Sequence, residues 1–457
     1  MRTLCRYCIG LLVLDNPFMP PVAQSCNLWV KGPSLLNKVR WLGLRLGCIL
    51  LIIILNSFGL PPAGAEPVTV SFLVSAFEVP VWQPLIAEFE AQHPDIHIEA
   101  IEGPSTSNIV EDLYVSAFLL GNAPYDLVYM DMTWVAKFAA AGWLQDLSTR
   151  VTPEQEVQFL PGTWNGGKYQ GKLYRFPAVR ADVGSMYYRQ DLLDQLGYSP
   201  PETFTELVQI SQALQAEGVP WGFLWSGKQT EGTTAMFMEV LSGFGGSWID
   251  PDTLEVALDA PAAIAALDFL VNTLKQGLSP PGTVSYQEEE TRRLFQNGQA
   301  VFMRNWPYAW SLITAPTSPV QGKVGIYSLV SQPEQLARAC QGGWGWGIST
   351  TSPHPEAAWQ VIQFFSSESA QRQVVQKFGY LPTLKSLYSD PDILAQYPHF
   401  AMLREIQEQT VLRPTIAQYD QASDILQRYL NAAFTQQLSS KAALTAAARE
   451  TRQLLSH

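Results

Sequence analysis

Val68-Thr69-Val70-Ser71-Phe72-Leu73-Val74 alternates apolar and polar side chains and is rich in β-branched residues, which predicts a strand. Downstream, residues 82–92 carry Leu85, Ile86 and Phe89 at helical spacing and stop at His93-Pro94. Ile96-His97-Ile98-Glu99-Ala100-Ile101 predicts a second strand and residues 110–120 a helix. Leu127-Val128-Tyr129-Met130 predicts a short buried strand closing at Asp131, followed by a helix over 134–141 that Gly142 ends. This βαβαβα order predicts an α/β layered domain with a largely parallel sheet. After Gly171 the rhythm starts again. Met186-Tyr187-Tyr188 predicts a strand, 190–197 a helix, and Pro200-Pro201-Glu202-Thr203 the cap of a helix over 205–216. Trp221 to Trp225 predicts a further strand, and residues 262–276 an amphipathic helix with Ala265, Leu267, Leu270 and Leu274 on its apolar face. Short strands return from Val324, and the Ala-rich stretch 441–455 reads as a packing helix. A chain of 457 residues exceeds one ordinary core. Without an internal repeat or a low-complexity linker, two α/β lobes joined by more than one crossing are expected. Ligands of such sheets lie outside the carboxyl ends of strands, here where the lobes face each other.

Residues 1–65 differ in kind. They hold four of the five cysteines and six Lys/Arg (Arg2, Arg6, Lys31, Lys38, Arg40, Arg45) against one acid, Asp15. A basic stretch from Lys38 to Arg45, an apolar run from Leu46 to Leu60 and Ala63-Gly64-Ala65 follow in the order of a secretory signal peptide. Cleavage is expected after Ala65, with export to the periplasm; a membrane-anchored form is the alternative, although the apolar run is about 15 residues where a bilayer span needs about 20. Taking the leader's charges from the totals of 29 Lys/Arg and 41 Asp/Glu leaves 23 and 40, a net of −17. That acidity argues against nucleic acid, whose binding depends on Lys and Arg at phosphates. Only Cys340 remains beyond the leader, so no intrachain disulfide can form there. The five His are scattered, so no metal or other cofactor is expected.

Phe302-Met303-Arg304-Asn305-Trp306-Pro307-Tyr308-Ala309-Trp310 places three large rings beside a proline. Such a cluster is either core or a rigid apolar platform for the C–H faces of a sugar. Carboxylates stand at expected strand ends: Glu78 after the first strand, Asp131 closing the third, Asp182 before the Met186 strand, and Glu231 in Gly227-Lys228-Gln229-Thr230-Glu231-Gly232. Each alone reads equally as a cap or a solvated surface group. Together at the mouth of one cleft they suit a neutral ligand rich in hydroxyls, because an ionised carboxylate accepts two hydroxyl hydrogen bonds at once.

From about Val68 onward the chain resembles the family 1 extracellular solute-binding proteins of ABC sugar importers, in particular the trehalose/maltose-binding type. The resemblance is carried by Pro124-Tyr125-Asp126-Leu127-Val128-Tyr129-Met130-Asp131 and by Gly171-Lys172-Leu173-Tyr174 running to Tyr187-Tyr188-Arg189. Further segments are 227–232, 304–310, Gly342-Gly343-Trp344 and Arg413-Pro414. It implies the two-lobed type II periplasmic-binding-protein fold, each lobe a mostly parallel sheet flanked by helices, with the ligand cleft between them. Residues 66–176 with 318–375 would form the first lobe, and 177–317 with 376–457 the second. It implies that Glu78, Asp131, Asp182 and Arg413 bond ligand hydroxyls, and that Trp306, Tyr308 and Trp344 stack on or flank the sugar rings. The Gly343 backbone would approach the ligand closely, and Glu231 occupies a further matching position. Arg413 has a second reading as a lobe-bracing ion pair. The implied partners are a small glucoside or disaccharide and the membrane permease, met by a monomer that closes on its sugar by hinge bending.

Two departures bear on the solute. Ser105-Thr106-Ser107-Asn108-Ile109-Val110 lacks the basic pair that disaccharide binders of the family often carry, and Ala178-Val179-Arg180 replaces an aromatic near the hinge. These shift expectation from trehalose or maltose toward sucrose or a smaller glucoside such as glucosylglycerol. The competing functions are a glycoside hydrolase, which would need a carboxyl pair about 5–10 Å apart, and a sugar-sensing receptor.

Overall fold

The computed structural model describes residues 67–104, 107–121 and 124–456. The expected leader lies outside these, as do Ser105 and Thr106 of the loop lacking a basic pair. No helix among the described residues is long and apolar enough to cross a membrane. Glu66–His457 forms one compact unit.

Two sheets organise it. The first has the strand order Ile96–Gly103, Val68–Ser75, Leu127–Asp131, Trp344–Ile348, Phe176–Pro177. Val68–Ser75 is parallel to both Ile96–Gly103 and Leu127–Asp131, each reached through a helix, Val79–Gln92 and Ser107–Leu119. The central strands are buried on both faces, and their near-continuous apolar runs reflect that. Trp346 anchors the packing, with ring centroids 4.6 Å from Tyr129, 4.9 Å from Trp82 and 5.0 Å from Phe72. The second sheet runs Val324–Tyr327, Ser185–Arg189, Ala300–Asn305, Trp221–Leu224. The helices Glu231–Gly243, Pro261–Lys275, Tyr419–Phe434 and Ser440–Leu455 pack together beside it.

The expectation of mostly parallel sheets is corrected in strand direction. Trp344–Ile348 is antiparallel to both its neighbours, and in the second sheet only Trp221–Leu224 and Ala300–Asn305 run parallel. The cause lies in the connections. Leu127–Asp131 and Ala300–Asn305 run into the cleft and deliver residues there. Ser185–Arg189 and Trp344–Ile348 instead begin at the cleft, because the chain arrives there from the other lobe, and so they run the opposite way. The boundary expected at residue 318 is also displaced. Val324–Tyr327 pairs with Met186–Arg189 and is an edge strand of the second sheet.

Three crossover segments lie side by side between the sheets. Ala339–Cys340 pairs with Thr410–Val411, and Val183 bridges Gln341. Gly342 donates to the Asp182 carbonyl at 2.8 Å, Trp344 to the Arg180 carbonyl at 3.2 Å and Gln341 to the Val411 carbonyl at 2.9 Å. The crossings therefore form a hydrogen-bonded hinge whose ends present Asp182, Gly343 and Arg413.

Candidate functional site

A cleft of about 510 Å³ opens where these crossovers meet the strand ends, and Asp131, Asp182, Glu231, Trp306, Tyr308, Gly343, Trp344 and Arg413 all line it. Eight of the nine expected site residues thus converge from segments more than 280 positions apart. Glu78 does not join them. It is 1 % exposed and lies behind Arg180, whose Nη1 donates to Glu78 Oε1 at 2.8 Å. Burial pushes the Glu78 carboxyl above its usual range, with Arg180 pulling the other way. A carboxylate at a strand end is visible in sequence, but a cation standing in front of it, contributed from 102 positions away, is not.

The aromatic platform is built on charge. Trp306 follows the end of Ala300–Asn305, where Asn305 Oδ1 accepts its backbone N–H at 2.7 Å and Tyr187 donates to its carbonyl at 2.9 Å. The Arg304 guanidinium lies 4.1 Å from the Trp306 ring centroid, a cation–π contact strengthened by burial. Arg304 is in turn held by Glu239, Nε to Oε2 at 2.7 Å. Tyr308 is fixed differently: its hydroxyl donates to Glu289 Oε1 at 2.9 Å, and Arg292 holds Glu289 below the usual carboxylate range. Burial, reinforced by Glu289, pushes the Tyr308 phenol up, so it stays a neutral donor. The third ring of the cluster, Trp310, leaves the cleft and stacks on His399 with centroids 4.1 Å apart. The cluster is therefore part platform and part packing. Trp344 faces it from the first lobe, packed at 5.0 Å on Tyr129 and 5.2 Å on Trp134.

Gly343 has φ +126°, and a Cβ there would stand 2.4 Å from the Arg180 carbonyl oxygen. Only glycine fits, and it brings bare backbone to the cleft wall.

Arg413 bridges the lobes. Its Nη1 donates to Glu231 Oε1 at 2.8 Å and its Nη2 reaches Asp131 Oδ1 at 3.5 Å. Burial pulls its guanidinium pKa down, but Asp131, Glu231 and neighbouring groups outweigh it and hold it well above the ordinary value. Glu231 also accepts from the Tyr419 hydroxyl and, at 2.6 Å, from Ser423. Its oxygens are occupied by protein, so it orients Arg413. Asp131 Oδ1 caps the following turn, accepting from Thr133 N at 3.0 Å.

Residues that the sequence reading gave no role also line the cleft: Arg180, Thr230, Gly232, Gly342 and Gln287 to Glu290. The acids of the last stretch lie in the first turn of Glu288–Gln296, where carboxylates favour the helix N-terminus. With Asp131, Asp182 and Glu231 they make six lining carboxylates against the guanidiniums of Arg180 and Arg413. That excess disfavours anionic ligands such as phosphorylated sugars and suits neutral hydroxyl donors. Among the described residues, no three or more His, Cys, Asp or Glu side chains are placed so that they could hold a metal ion together.

Residues 78–372 match the sequence profile described as bacterial extracellular solute-binding protein. The chain belongs to that family. Among extracellular solute-binding proteins, a probable ABC transporter-binding protein of Deinococcus radiodurans is 30% identical over 336 residues, 72% of this chain and 79% of the relative. Maltose-bound MalE3 of T. maritima superposes with a TM-score of 0.77 at 38% identity, over 85% of this chain and all of that one. A solute-binding protein of an ABC transporter from Agrobacterium radiobacter, in complex with ribitol, gives 0.75 at 25% identity over 85% of this chain and 99% of the other. The two solved structures share the two-lobed α/β architecture of this chain.

Proposed function

We propose that this protein is the solute-binding component of an ABC sugar importer, exported across the membrane, which captures a small glucoside or disaccharide and delivers it to the permease. The observation that carries this reading is the cleft itself: aromatic faces from both lobes, Trp306 and Tyr308 opposite Trp344, beside carboxylates and guanidiniums at strand ends. Rings of this kind take the C–H faces of a pyranose, and Asp131 and Asp182 accept its hydroxyls in charge-assisted bonds roughly twice as strong as neutral ones. Arg413 and Arg180 donate to ring or hydroxyl oxygens, Gly343 allows close approach, and Glu231 and Glu78 hold the two guanidiniums in place. The maltose-bound relative supports a glucoside, and the ribitol-bound one supports a neutral, hydroxyl-rich ligand. Maltose, trehalose, sucrose and glucosylglycerol are the solutes to test. Cleft closure excludes water and marks the loaded state for the permease.

Tryptophan fluorescence is the direct test, because Trp306 and Trp344 line the cleft. Residues 66–457 titrated with these four sugars are expected to show a saturable change with one of them and no release of free glucose. Glucose accumulating during the titration would instead assign the cleft to hydrolysis.

A further inference from the structure

The cleft does not end at Arg180. A second chamber of about 480 Å³ lies beyond it, and Arg180, Asp182, Glu289 and Tyr308 line both spaces. Its remaining wall differs in character: Pro307, Leu312, Tyr380 and Leu381, with Ser311 and Gly379, replace the acids of the first chamber. Of these shared residues, Arg180 reaches toward an aromatic ring in each space. The Arg180 guanidinium lies 5.6 Å from the Trp344 ring in the first chamber and 5.8 Å from the Tyr380 ring in the second. It is held there by Glu78 at 2.8 Å and Asp182 at 2.9 Å. Leu312 is 42 % exposed at the chamber's edge, where a large apolar side chain has little partner of its own.

We infer that the solute has two unlike halves, a sugar ring in the acidic first chamber and a less polar aglycone in the second, with Arg180 and Asp182 at the waist between them. This rests on the reading of the first chamber as a glucoside site and goes beyond it by naming the class of the second half. In a space comparable to the first, reached across a polar waist and walled by Leu, Pro and Tyr side chains, a less polar second half buries more apolar surface than the hydroxylated second halves of maltose or glucosylglycerol, and so adds affinity beyond theirs. Its polar groups at the waist are positioned for the linking oxygen and its neighbours.

The experiment compares methyl and phenyl α-glucosides by calorimetric titration of residues 66–457, in wild type and in Leu312→Trp, which fills the chamber from its exposed edge. The phenyl glucoside is expected to bind at least tenfold more tightly than the methyl glucoside in the wild type. In Leu312→Trp that ratio is expected to fall to near one, and in Leu312→Ala to an intermediate value. Reading a ratio within each variant removes any general loss of affinity or folded fraction. Equal affinity for the two glucosides in the wild type, or a ratio unchanged in Leu312→Trp, would overturn the second chamber while leaving the sugar site intact. Absence of binding by either glucoside and by maltose would sink both.

Discussion

Trp306 lies on a cation. The Arg304 guanidinium over its ring is wholly buried and clamped by Glu239. The stack fixes the ring plane before a ligand arrives, so little is lost in ordering it. Trp306→Ala is expected to weaken glucoside binding by tenfold to a hundredfold, about 1.4 kcal/mol per factor of ten, with an unchanged circular dichroism spectrum. Gly343 makes the opposite kind of contribution, through what it lacks. Gly343→Ala must relieve a 2.4 Å approach to the Arg180 carbonyl at φ +126°, and strain of this kind costs on the order of 1–3 kcal/mol. A fall in unfolding temperature together with weakened binding is the expected result. At this scale the ring cluster holding Trp306 and Tyr308 was visible because rings beside a turn leave a local mark, whereas Gly343 and Trp344 came only with the family resemblance; all four line the cleft. It misplaced Glu78 and gave Arg180 no role because a charge partner 102 positions away leaves none.

At the level of the element, strand ends explain why so many candidates meet in one cleft. Leu127–Asp131 and Ala300–Asn305 end at the cleft, so the residues that close or follow them are presented there whatever the rest of the lobe does. Strand direction was less legible, since alternation and apolar runs are the same read forward or backward; the antiparallel pairs depend on which lobe the chain comes from. Helix positions carry a further consequence. The helix Ala309–Ile313 sets Trp310 on His399, and burial lowers the His399 pKa from 6.5 to about 3. The unfolded chain therefore binds a proton that the folded one refuses between those values. Stability from this group is full above 6.5 and is lost as pH falls toward 3, at up to about 1.4 kcal/mol per pH unit. His399→Phe is expected to flatten that part of the dependence, seen as a smaller loss of unfolding free energy between pH 6.5 and 4 in urea titrations. Equal slopes for variant and wild type would rule out a neutral, buried His399.

Across the whole molecule, the three crossovers paired with one another form the only continuous backbone hydrogen-bonding between the main sheets among the described residues. Arg413 adds a side-chain tie from Asp131 in one lobe to Glu231 in the other. A hinge of adjacent strands bends as a unit, so ligand capture is expected to lower the radius of gyration measured by small-angle X-ray scattering. Arg413→Gln is expected to enlarge the ligand-free molecule, because carboxylates then face each other across the cleft without their shared cation. The central claim is that the cleft receives a glucoside. Calorimetric titration of residues 66–457 with maltose, trehalose, sucrose, glucosylglycerol and glucose tests it most directly. One of the glucosides is expected to bind with one-to-one stoichiometry, more tightly than glucose, and to be recovered intact. Heats indistinguishable from dilution for every sugar would contradict the account.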